Sequence, residues 1–94
     1  MNQKKALKRI RGGDTAYGLM IDKLPGAVSK FDRITKNLSA LLREVKKEFP
    51  DASYYSSNGA LCLLLGESHD SEGKGQQELV VTVATGLTID GGDW

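Results

Sequence analysis

Residues 28–49, VSKFDRITKNLSALLREVKKEF, place Phe31, Ile34, Leu38, Leu41 and Val45 at spacings of three, four, three and four, with Leu42 and Phe49 beside them. At about 100° per residue these side chains fall on one stripe of a helix. Arg33, Lys36, Arg43 and Lys47 fall on the opposite face. The spacing Ser29-x-x-Asp32 fits a capping box at the start. Asp32 and Lys36 stand at i,i+4, where opposite charges attract. Lys46 and Lys47 lie in the last turn, where the helix dipole favours cations. Pro50 disfavours helical backbone at Phe49 and ends the segment. Such a helix is about 33 Å long.

Beyond Pro50 the period changes. Residues 52–57, ASYYSS, read as a strand, and Asn58-Gly59 supplies the two positive-φ residues of a type I′ hairpin turn. Residues 60–66, ALCLLLG, are a continuous apolar run of strand length. Successive strand residues face opposite sides, so Leu61 to Leu65 place apolar groups on both faces. That suits the central strand of a covered sheet. The long helix is expected to cover one face, and residues 14–24 or a second subunit the other. A polar loop, 67–77, follows. Residues 78–89, ELVVTVATGLTI, are β-branched and predict a third strand, bulged at Gly86. The predicted class is α+β: a long amphipathic helix packed on a three-stranded antiparallel β-meander, with one or two short N-terminal helices.

Before the long helix, residues 14–24, DTAYGLMIDKL, predict a short helix capped by Asp14 and ended by Pro25. Residues 1–11 hold Lys4, Lys5, Lys8, Arg9 and Arg11, with Leu7 and Ile10 on one side. Isolated helices this short are marginal in water, so residues 1–13 are expected as a basic arm, either a frayed helix or mobile. Residues 14–94 then form the single α+β domain. Ninety-four residues leave no room for a second.

Composition narrows the function classes. With 39% apolar and 27% charged residues the chain reads as an ordinary globular domain. One Cys and one His exclude a disulfide framework and a Cys/His zinc site. No apolar run reaches a membrane span, and no apolar stretch follows the N-terminal charges as in a secretory leader. A cytoplasmic location without membrane contact is expected. The net charge of +1 conceals an asymmetry. Residues 1–50 carry twelve Lys and Arg against five Asp and Glu, a net of +7, and the remainder carries −6. Such asymmetry marks either a polyanion-binding end or the solvent faces of two halves that fold together.

Candidate chemistry is sparse. His69, Asp70 and Glu72, with Asp90 or Asp93, have metal-ligating side chains, but a solvated loop uses the same residue types. Cys62 lies among leucines and reads as a small buried hydrophobe rather than a reactive thiol. Gly73-Lys74-Gly75 departs from a phosphate-binding loop, because Gly75 replaces the Ser or Thr and no helix follows. No catalytic residue, cofactor or metal site is assigned. Two binding surfaces remain. Lys4, Lys5, Lys8, Arg9 and Arg11, extended by Arg33, Lys36, Arg43 and Lys47, form a candidate nucleic-acid contact set. No aromatic interleaves the arm, so base stacking is unsupported. Asp90, Asp93 and Trp94 form a candidate protein-partner contact, since Trp is enriched in binding hot spots. The open edges of a three-stranded sheet add a route to a homodimer.

The order of a helix followed by three antiparallel strands resembles double-stranded RNA-binding domains and small ribonuclease toxins. The former add a helix with a Lys-rich start, where this chain has an acidic segment. The latter carry catalytic basic residues on the strands, where this chain offers only Lys74 and His69 after residue 50. Element order alone does not carry function, and neither family is assigned. The leading expectation is a non-catalytic interaction protein for a protein partner, a second copy included, of the accessory or regulatory kind found in phages and mobile elements. The alternative is nucleic-acid binding through the basic arm and the cationic helix face.

Overall fold

The computed structural model describes residues 1–91. Among them the order is α1 (Gln3–Arg11), α2 (Ala16–Lys23), α3 (Ala27–Glu48), β1 (Ser53–Ser57), β2 (Ala60–Leu64), a 3-10 turn (Gln77–Leu79) and β3 (Val80–Ala84). The α+β class and the antiparallel meander, in the order β1-β2-β3, agree with the sequence reading. The chain divides into two compact units, Met1–Leu38 and Ser39 onward, and the division falls within α3.

In the first unit, residues 3–11 take the helical form of the basic segment. Asn2 caps α1, its Oδ1 accepting from the Lys5 amide at 2.9 Å. Gly12 closes the helix by donating to the Lys8 and Arg9 carbonyls, and Gly13 turns the chain at φ 122°, a conformation that favours glycine. The cap of α2 is a correction. Thr15, not Asp14, accepts from the Gly18 amide, at 2.9 Å. Asp14 is instead held by Arg9, whose Nε lies 2.7 Å from Oδ2. Thr15 has the extended backbone an N-cap needs. Leu19 is buried, and Ala6, Leu7 and Ile10 of α1 are half-buried.

Helix α3 begins two residues before Ser29. The Leu24 carbonyl accepts from Ala27 across the Pro25-Gly26 turn, and the Gly26 carbonyl accepts from Lys30. Ser29 therefore lies inside the first turn, and the predicted Ser29–Asp32 capping box does not form. Asp32 and Lys36 do not close an ion pair, since Arg9–Asp14 is the ion pair found among the described residues.

The second unit holds the sheet. Asn58 and Gly59 have φ of 50° and 77°, and Ser57 pairs with Ala60, as a two-residue hairpin requires. The third strand is shorter than its composition suggests. It stops at Ala84, and Gly86 (φ 79°) lies in a bend beyond the strand rather than in a bulge. The irregularity falls instead between Leu63 and Leu64, which face Thr82 and Val80 and leave Val81 extra on β3. Ala52, Cys62, Leu64 and Gly66 are buried, so the core of this unit centres on β2 and its approaches. Leu64 keeps 2% of its surface. Both outer strands remain edges, and every residue of β3 is exposed.

The stripe of α3 departs from expectation. Phe31, Ile34, Leu38 and Leu41 remain 71, 59, 36 and 44% exposed, while Leu42 and Val45 are half-buried.

Candidate functional site

Three surfaces carry groups that could bind or react. The first is the stripe of α3. Its local order follows from the sequence: good helix formers throughout, a Pro-Gly turn before it and Pro50 after it. Thr35 donates from Oγ1 to the Phe31 carbonyl at 2.9 Å, and Arg43 reaches Ser39 Oγ at 3.1 Å, both on the helix itself. The side chains from Phe31 to Leu41 present an apolar strip with no charged residue on it. In the first unit, Tyr17 and Leu24 add further exposed apolar groups around α2.

The second surface is α1. The apolar Ala6, Leu7 and Ile10 share one side, where a cavity of about 480 Å³ lies between Ala6, Ile10, Leu19 and Met20. Lys4, Lys5, Lys8, Arg9 and Arg11 project from the other side, all exposed. Arg9 is engaged by Asp14, which leaves four of these five cations without an ion pair among the described residues. The remaining candidates, Arg33, Lys36, Arg43 and Lys47, line the face of α3 opposite the stripe and are likewise exposed.

The third surface lies over the sheet, beneath the loop 67–77. Asp70 organises this loop: its Oδ1 accepts from the Glu72 and Lys74 amides, each at 2.9 Å. A bridge pairs His69 with Gly75, Gln76 donates its amide to the Ser68 carbonyl at 2.8 Å, and its Nε2 donates to the Glu67 carbonyl at 2.8 Å. The loop is thus a small second hairpin, an order that the sequence reading missed. An Asp followed by Gly at the third position was its only signal. The His69 ring meets Tyr55 edge-on, with centroids 5.8 Å apart, and its Nδ1 lies 2.9 Å from Ser68 Oγ. A cavity of about 330 Å³ opens here, lined by Tyr55, Ser57, Cys62, Leu64, His69 and Gln76 among others. Cys62 is a free and buried thiol.

His69, Asp70 and Glu72 carry metal-ligating groups but are not gathered into a site. Asp70 turns inward to the loop backbone, and among the described residues no group of three or more His, Cys, Asp or Glu could hold a metal ion. The Lys74 amide is engaged by Asp70 rather than open to a phosphate. Asp90 is exposed, and Asp93 and Trp94 lie outside the described residues. No helix among the described residues is long and apolar enough to cross a membrane. The chain matches no family model, no curated protein and no solved structure.

Proposed function

We propose that this chain is a non-catalytic cytoplasmic interaction protein that binds a protein partner through the open stripe of α3. The observation that carries the reading is the exposure of Phe31, Ile34, Leu38 and Leu41 in an unbroken line. Scattered exposed apolar residues are ordinary, but a contiguous strip marks a contact surface. Complete burial of such side chains is worth about 1.5–3 kcal/mol each, so covering the open fractions recovers about 3–6 kcal/mol. Association costs about 4–15 kcal/mol, so a flat polar partner gains too little. A partner with an equal apolar face doubles the gain to about 6–12 kcal/mol.

The test is a Phe31→Glu/Ile34→Glu double variant. Both side chains are exposed, so the isolated fold is expected to persist by circular dichroism. Sedimentation velocity, alone and in cell extract, should show a complex with the original chain that the variant does not form. Equal behaviour of the two proteins refutes the reading.

Nucleic-acid binding is the second reading, favoured by the unpaired cations on one side of α1. Four contacts give a log–log salt slope of about −3.6 on duplex DNA, against about −4.5 if Arg9 leaves Asp14 and joins them. Titration of labelled duplex DNA and RNA across a salt series distinguishes the two. No binding at low salt assigns the cations to solubility.

A further inference from the structure

We infer that the occupant of the α3 stripe is a second copy of this chain, packed antiparallel with its register centred on Lys36. This rests on the binding role proposed for the stripe and specifies its partner. The spacing of Phe31, Ile34, Leu38, Leu41 and Val45 is that of alternating a and d positions in a heptad. It continues back to Ala27 as a further d position. The open part of the stripe runs from Phe31 to Leu41, and its midpoint is Lys36. Two such stripes laid antiparallel about that midpoint set Phe31 against Leu41 and Ile34 against Leu38, twice each by symmetry. Ala27 then meets Val45 at both ends. Every layer is apolar, and Phe31, the most exposed large apolar side chain among the described residues, gains a Leu opposite.

The flanking positions decide the orientation. In an antiparallel pair the residues just before each a position face one another across the seam. Here they are Lys30, Asn37 and Glu44. The register centred on Lys36 brings Lys30 of each copy to Glu44 of the other, and Asn37 to its own equivalent. Both Lys30 and Glu44 are exposed, and neither forms an ion pair among the described residues. On the other flank Val28 meets Leu42, both half-buried, and Thr35 meets its equivalent. A parallel pair instead sets Lys30 against Thr35 and Asn37 against Leu42, with no charge paired and the helix dipoles aligned. Slipping the antiparallel register by one heptad toward the C-terminus places Phe31 against Glu48. Slipping it the other way leaves Leu41 outside the apolar layers. The sequence thus satisfies one orientation and one register better than its neighbours.

The experiment joins sedimentation equilibrium to pulsed dipolar spectroscopy on the full chain. Monomer and dimer should exchange with concentration. Lys30→Glu or Glu44→Lys alone should weaken the dimer about 2- to 30-fold, because each creates two like-charge contacts. The two together should return the affinity to within about 2-fold of the original. Spin labels placed singly at Ser29, Lys36 and Arg43, in a Cys62→Ala background, read the orientation from exposed sites on the outer face. The Lys36 label should give the shortest distance, and the other two gain an axial offset of about 21 Å. Equal distances at all three sites indicate a parallel pair and overturn the inference. A dimer that survives Phe31→Glu uses another surface and overturns it as well. A chain that stays monomeric at every concentration also overturns it, while leaving a different protein partner for the stripe to be judged by the extract experiment above.

Discussion

Leu64 and Phe31 should respond to truncation by very different amounts, although both belong to predicted core patterns. Leu64 is 2% exposed at the end of the central strand. Leu→Ala at such a site loses transfer free energy and leaves a cavity, together about 3–5 kcal/mol. A domain of this size has roughly 5–14 kcal/mol in all. Leu64→Ala therefore removes a large fraction of it. With a urea slope of about 1–1.5 kcal/mol/M, the midpoint should fall by about 2–5 M, or the chain should fail to fold. Phe31 is 71% exposed, so less than a third of the Phe contribution is at stake. That is about 1.5 kcal/mol at most, and Ala recovers about 0.5 kcal/mol of it through higher helix propensity. Phe31→Ala should shift the midpoint by less than about 1 M. The assay is urea unfolding followed by circular dichroism and tyrosine fluorescence, at dilution, because a dimer would add concentration-dependent stability. Equal losses from the two variants at dilution would refute the claim that the stripe lies outside the core.

Three further outcomes follow from local geometry. Thr15→Ala should cost about 1 kcal/mol through loss of the α2 cap, whereas Asp14→Ala, removing an exposed ion pair, should cost less than about 0.5 kcal/mol. Thermal melts of the two variants check the order, and the reverse order restores Asp14 as the cap. Asp70→Ala removes the acceptor of two loop amides and should accelerate hydrogen exchange at Glu72 and Lys74, with a loss of about 1–2 kcal/mol. Unchanged exchange at both positions contradicts the assigned role of Asp70. Gly59→Ala should cost about 1–2 kcal/mol through its positive φ alone, since the added Cβ meets nothing closer than the Ile89 carbonyl at 3.7 Å. Gly75→Ala, with ordinary φ and open space around it, should be neutral or stabilising by up to about 1 kcal/mol, and a chemical melt separates the pair.

Local rules were legible without coordinates. The 3.6-residue period between Val28 and Phe49, the Pro50 stop, the Asn58-Gly59 turn and the apolar run 61–65 each express a preference of adjacent residues. Such preferences survive in any context that does not oppose them. They set α3, the hairpin and the central place of β2. Competition between neighbours was harder to read. Asp14 and Thr15 are both good caps, and the choice fell to Thr15 once Arg9 had engaged Asp14. Ser29 looked like a cap until the Pro25-Gly26 turn started the helix earlier. The β-branched run 78–89 predicted a long strand, but pairing with the five residues of β2 ended it at Ala84.

Tertiary structure alone decided which apolar groups are covered. An amphipathic pattern states that a face must be shielded from water, not what shields it. The exposure of the α3 stripe, the burial of Leu64 and the loop folded over Tyr55 and Cys62 give that answer for this chain. Burial depends on the lengths and positions of elements far apart in sequence, and no window of neighbouring residues contains that information.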